Sequence, residues 1–281
     1  MDNRVKTVLF LGLLSGLLLW IGHLIGGYSG LTIGLAIALL MNISSYWWSD
    51  KVVLAMYRAK EADKNQHPDL YAMIHEAARH MKIPSPKIFL VDSPTPNAFA
   101  TGRDPHHAAV AFTTSIISLL NKDELKGVAA HELAHIRQRD TLIQTAAATI
   151  ASVISYVAFM ARWAAIFGGV GKDSDDGGSI IEFLVLALLA PVIATILQLA
   201  LSRSREYLAD ERAAKALHSG QGLAEALLKI EGAVKEHPMR GGNPTTAPLF
   251  IINPFRAKTF LSLFSTHPPV EERVKRLRKI H

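Results

Sequence analysis

The sequence predicts a mainly α integral membrane protein: four transmembrane helices plus a cytoplasmic α+β part carrying a small β-hairpin or sheet. Three observations predict it. Of 281 residues, 49% are hydrophobic but only 7% aromatic, and mean hydropathy is +0.21, an aliphatic excess that points to membrane segments. No Asp, Glu, Lys or Arg occurs between Lys6 and Asp50, room for two spans at about 20 residues each. Two further uncharged runs, 141–161 and 183–202, close at Arg162 and Arg203.

The first uncharged stretch reads as spans over residues 7–25 and 31–48, folded back at IGGYSGLT, with Trp20, Trp47 and Trp48 suited to the interfacial belt. It is too long for a cleaved signal peptide and lacks a small-x-small exit site, so residues 1–49 are expected to be retained. His23 is expected to reach the interface. Residues 50–140 turn soluble. Pro68 opens a helix with Leu70, Ile74, Ala77 and Ala78 on one face. KIFLV reads as a strand, and residues 98–101 and 108–113 as hairpin arms around GRDP. A helix then follows Asn121, a natural N-cap, with Asp123 and Glu124 in its first turn. Residues 141–202 form a membrane hairpin around the loop GGVGKDSDDGGS, with Pro191 tolerated in its second arm. Residues 203–281 return as two helices parted at Gly220, a loop over 238–255, and a closing basic helix.

Formal net charge is +6 and the pI about 9.5. The Lys and Arg cluster beside the spans rather than among aromatic residues, which excludes a nucleic-acid partner and places both termini and the soluble part in the cytoplasm by the positive-inside rule. The basic C-terminal face is expected near anionic lipid. There is no cysteine, so any metal must sit on histidine and carboxylate.

The stretch VAAHELAHIRQRD holds His131 and His135 four apart. On a helix both share a face and can meet one metal ion, with Glu132 beside them as a base for water. A catalytic zinc site needs a third protein ligand. Gln138 and Thr141 stand where an extended H-E-x-x-H-x-x-G-x-x-H pattern requires Gly and His. Asp140 is set aside because it follows on the same helix. The expected ligand is Glu206 in SRSREYLAD, because a membrane hairpin that starts at residue 141 and ends at 202 returns the chain to the same membrane face. Asp210, four further on, shares its face and can fix a ligand histidine's tautomer. His106 and His107, on a turn, are expected to be solvated.

At these residues the chain resembles the HtpX membrane metalloproteases, relatives of the CAAX prenyl proteases. The likeness extends over nearly the whole length and includes PNAFATG, VAAHELAHIRQRD, SRSREYLADERAA and THPPVEERVKRL, in that order. It implies a zincin-like (gluzincin) catalytic part split between 50–140 and 203–281. It also implies one zinc ion per chain, held by His131, His135 and Glu206 with Glu132 catalytic. The activity implied is an endopeptidase of the bacterial inner membrane that cleaves misfolded or damaged membrane proteins from the cytoplasmic side. Similarity to the CAAX proteases implies that His267 and Arg273 face the oxyanion. The hairpin edge suits an added substrate strand, with Asn97 and Ala98 on the substrate backbone.

Three other functions can be weighed. A transporter would carry ionisable residues inside its spans, and these hold none but His23. A zinc-bearing adaptor gives no reason for Glu132. CAAX-type processing of lipidated peptides goes with more spans than four. Substrate identity and oligomeric state are not legible.

Overall fold

The computed structural model describes residues 3–142, 144, 203–239, 247, 249–255 and 267–280. The first helical segment, α1 (Asn3–Met56), breaks at Gly26 and Gly27. Gly27 has φ of 54°, a left-handed conformation that suits glycine. The two arms approach so closely at Gly22 and Gly30 that a Cβ on either would run into the other's carbonyl. The chain thus folds back where IGGYSGLT predicts, and the His23 ring meets Tyr28 edge-on at 5.9 Å. Counting only the described residues, no helix is long and apolar enough to cross a membrane. Several α1 side chains, among them residues 3–11, lie outside the described set, as do the expected spans 141–161 and 183–202 apart from residues 141, 142 and 144.

Helix α1 runs past the expected boundary at residue 49, and its last turns belong to the soluble core. Val53, Leu54 and Tyr57 pack with Phe99, Ala109, Ala111 and Phe250 on one face of the sheet. That sheet has the order β1-β2-β4-β3, from β1 (Lys60–Glu61), β2 (Lys87–Val91), β3 (Ala98–Gly102) and β4 (Ala108–Thr113). Strands β3 and β4 form the expected antiparallel hairpin, and β4 also pairs in parallel with β2. Every residue of β4 is buried, as a central strand covered on both faces requires. The turn folds over Asp104, which caps the short 3₁₀ stretch Pro105–His107, and Arg103 lies 4.7 Å from the Trp47 ring of α1. His106 and His107 are exposed, and His107 Nδ1 sits 3.0 Å from Asp104.

The opposite face of the sheet meets helices. Helix α2 (Pro68–His80) buries Leu70, Ile74, Ala77 and Ala78, the face read from the sequence. After the short α3 (Thr114–Leu119) comes α4 (Lys122–Gln138), the centre of the core. It packs against α2, β3, α5 (Arg203–Leu217) and α6 (Gln221–Glu236). The closing helix α7 (Val270–Leu277) packs on α5 and α6, buries Val270, Val274 and Leu277, and stacks Arg276 over Tyr207 at 3.7 Å. Leu133, Ile136, Leu227 and Ile230 are almost fully enclosed, each worth about 1.5–3 kcal/mol of apolar burial.

Candidate metal centre

Helix α4 starts at a capping box: Asn121 Oδ1 accepts from the Glu124 N–H at 2.9 Å, and Glu124 Oε2 accepts from the Asn121 N–H at 3.0 Å. This anchors two turns later a face on which His131, Glu132 and His135 are all buried. The helix stops at Gln138 because Arg139 adopts a left-handed conformation (φ 59°). Glu206 enters from the first turn of α5.

The two histidines point Nε2 at each other, 3.2 Å apart. His135 Nε2 lies 3.3 Å from Glu206 Oε1, and His131 Nε2 lies 3.6 Å from Glu206 Oε2. Ligands at about 2.0–2.1 Å around a tetrahedral ion stand about 3.3 Å apart. The three separations match that spacing, and the donor set of two imidazoles and one carboxylate suits zinc. His131 Nδ1 is 2.9 Å from Asp210 Oδ1 and His135 Nδ1 is 3.3 Å from Asp140 Oδ2, so the second nitrogen of each ring faces a carboxylate. That fixes Nδ1–H and leaves the Nε2 lone pairs directed inward. The residues therefore fit a metal ion.

Titration follows from this crowding. Burial disfavours charge on His135, yet Glu206 and Asp140 outweigh it and push the ring up to about 10. His131 is likewise raised, against burial, by Asp210 and Glu206. Burial would raise Glu206, but His135 and His267 hold it well below the usual carboxylate range. The surrounding carboxylates thus favour positive charge in the cluster, which a divalent ion would supply on binding. Glu132 differs: burial raises it, and Glu206 adds to the rise against the pull of the histidines. A carboxyl raised by burial in this way is suited to proton transfer.

The other expected residues fall around this centre in different ways. Asp210 faces His131, as its spacing from Glu206 suggests. Arg273 is fully enclosed; its Nε and one terminal nitrogen donate to Asp210 at 2.8 and 2.7 Å, and the other donates to the Ile251 carbonyl at 2.9 Å. It clamps Asp210, and one terminal nitrogen also lies 3.6 Å from Glu206 Oε2, at the border of the centre. His267 turns Nδ1 to Glu206 Oε2 at 3.3 Å and Nε2 to the Ala247 carbonyl at 3.2 Å. Asn97 is buried and spans the hairpin: its Nδ2 donates to the Ile252 carbonyl at 2.7 Å, and its backbone pairs with Thr113. Ala98 is buried too, and its carbonyl already accepts from the Ile251 N–H at 3.1 Å. The chain's own residues 250–252 thus hold the edge beside Asn97 and Ala98.

Sequence reasoning missed two residues here. Asp140 follows on the same helix in the sequence and is not expected at the centre as a ligand, but the reversal at Arg139 brings it to His135. Arg205, next to Glu206, lies 3.5 Å through Nε from Asp140 Oδ1. The signal for the reversal was weak, since arginine rarely adopts positive φ.

Comparison with known proteins gives a consistent result. Residues 64–281 match the family model "Peptidase family M48". A "Protease HtpX homolog" from Thermococcus kodakarensis is 49% identical over 276 residues, 98% of this chain and 95% of that protein. One of the same name from Syntrophobacter fumaroxidans is 46% identical over 282 residues and the whole of both chains. Among solved structures, that of S. mikatae Ste24p superposes with a TM-score of 0.55 at 19% identity, covering 98% of this chain, which spans 65% of that longer one. At that identity the likeness is one of fold.

Proposed function

Since this chain belongs to peptidase family M48 and is a metalloprotease, we propose that it is a membrane-bound zinc endopeptidase that cleaves misfolded or damaged membrane proteins from the cytoplasmic side of the inner membrane. The observation that carries the chemistry is the convergence of His131, His135 and Glu206 at tetrahedral spacing beside a buried Glu132. Zinc held there by His131, His135 and Glu206 would supply Lewis acidity toward a water molecule and a carbonyl. Glu132 takes the proton of the attacking water on its carboxylate and returns it to the leaving amine. Asp210 and Asp140 hold the ligand rings in the Nδ1–H form. His267 is the candidate donor to the substrate oxyanion. Its Nε2 lies 3.2 Å from the Ala247 carbonyl, so Nδ1, 3.3 Å from Glu206 Oε2, is the nitrogen that faces the centre.

Substrate is held as an added strand on the outer edge of β3, which ends the sheet. The carbonyls of Ala98 and Gly102 point away from β4, to Ile251 and to the Thr141 hydroxyl at 2.8 Å. By alternation Ala100 faces outward too, and that is where the strand adds. Asn97 and Ala98 then shape the end of the groove together with residues 250–252. A cavity of about 500 Å³, lined by Val234, Ile251, Ile252, Val270, His267 and Arg273, suits an apolar substrate side chain.

Membrane attachment is supported by α1, which is uncharged from residue 7 to 49 and folds back on itself, and which exposes Leu39, Leu40, Ile43, Trp47 and Trp48. The two later apolar runs complete four spans, and the distribution of Lys and Arg supports cytoplasmic termini.

The test uses full-length protein purified in detergent under chelation. Zinc is added back, and cleavage of an unfolded test protein is followed beside Glu132→Gln. Wild type should cleave and Glu132→Gln should not, by at least about a hundredfold, with equal zinc in both. Equal cleavage by both would remove Glu132 as the base.

A further inference from the structure

Each ligand histidine has an aspartate behind it, and each aspartate has an arginine. On one side stand His131, Asp210 and Arg273. On the other stand His135, Asp140 and Arg205, on contacts of 3.3 and 3.5 Å. We propose that Asp140 and Arg205 are positioning residues for His135, a second relay that sets how tightly the centre holds its divalent metal ion. The inference rests on the metalloprotease reading above.

Three features support it. Asp140 is 0% exposed and reaches His135 only because the chain reverses at Arg139; a continuing helix would point it elsewhere. The turn is fixed on its far side, where the Thr141 hydroxyl donates to the Gly102 carbonyl at 2.8 Å. A simple exit of the chain from α4 would not require this carboxylate to face an imidazole.

Arg205 is the third feature. It is 5% exposed, yet both its terminal nitrogens are buried with no hydrogen-bond partner among the described residues. Among the described residues, Asp140 is the carboxylate paired with it, through Nε. A guanidinium buried with unfilled donors costs stability, and an apolar side chain of similar length would pack there at less cost. What the arginine does provide is a grip on Asp140 Oδ1, which leaves Oδ2 facing His135 Nδ1. The proton then stays on Nδ1, and the Nε2 lone pair stays on the metal side, opposite His131. Arg205 also adjoins Glu206, so one contact sets the spacing between the helix that carries two ligands and the helix that carries the third.

The experiment is a zinc titration by chelator competition on full-length protein in detergent, in a Glu132→Gln background so that self-cleavage plays no part. Asp140→Asn and Arg205→Met should each weaken zinc binding by about 10–100-fold. Asp140→Asn alone also strands a buried charge and lowers the unfolding midpoint of the metal-free protein. Asp140→Asn combined with Arg205→Met removes that charge, so the midpoint should recover while zinc affinity does not. Recovery of both would overturn the proposal, because a purely structural pair behaves that way. If the double variant does not fold, Arg205→Lys decides: it keeps the charge but moves the donor, and zinc binding at the parental strength would overturn the inference. A Glu132→Gln parent that binds no zinc would overturn the metal reading itself, and this inference with it.

Discussion

Replacing Arg273 with Met separates two roles for a buried arginine. The side chain is fully enclosed and binds both oxygens of Asp210, at 2.7 and 2.8 Å, and the Ile251 carbonyl at 2.9 Å. Removing one partner of a buried pair costs about 3–5 kcal/mol, because the other charge stays behind. The stranded Ile251 carbonyl adds about 1 kcal/mol. His131 Nδ1 remains 2.9 Å from Asp210 and offsets part of the loss, which brings the expected total to about 3 kcal/mol. At about 2–4 °C per kcal/mol for a chain of this size, the metal-free protein should unfold about 6–12 °C lower. Zinc affinity should fall about 10–100-fold, since Asp210, no longer held by Arg273, orients the His131 ring less firmly. Thermal unfolding of metal-free protein and chelator competition, both in a Glu132→Gln background, give the two numbers. An unchanged midpoint and unchanged zinc affinity, with turnover of the otherwise wild-type enzyme reduced about a hundredfold, would refute the clamp and return Arg273 to the oxyanion.

Two further outcomes are expected. Burial opposes charge on Asp210, but Arg273 and His131 depress its carboxyl below the ordinary range, so its contribution to stability is complete above about pH 4 and is lost as pH falls through the depressed value. The gap in unfolding midpoint between metal-free wild type and Asp210→Asn should therefore close on acidification below that range; a constant gap would contradict it. Gly127→Ala should lower the midpoint by about 1–3 kcal/mol worth of stability, because the new methyl would lie 2.6 and 2.8 Å from backbone atoms of Leu223 and force α4 and α6 apart. The helix-propensity gain of up to about 1 kcal/mol is too small to reverse this, and a raised midpoint would show that the helices part freely.

Local patterns made much of this architecture legible. Helix α4 was readable from its N-cap Asn121, its acidic first turn and the i, i+4 histidines, and α2 from its apolar stripe, because both signals sit within a few turns of chain. The β3–β4 hairpin followed from its turn residues. The parallel pairing of β2 with β4 was not readable, since periodicity does not say which strands become neighbours. Of the centre, His131, Glu132 and His135 were set by spacing, and Glu206 by the return of the chain to one side. Asp140 and Arg205 were hidden because their placement depends on a single left-handed residue, Arg139. Residues 250–252 were hidden too: their role is a long-range contact with Asn97 and Ala98 that leaves no local pattern.

The seam between α1 and the sheet bears on how the enzyme can be cut down for study. Tyr57 lies 5.6 Å from Phe99 and 5.0 Å from Phe250, ring to ring, and Val53 and Leu54 cover the same wall. A fragment begun at residue 60 would strip that wall bare and leave a sticky apolar plate where the helix end had been. One begun near Asp50 would keep its roof. The last turns of a helix that reads as membrane anchor are thus also masonry of the catalytic body, and the two cannot be separated at the point where hydropathy changes.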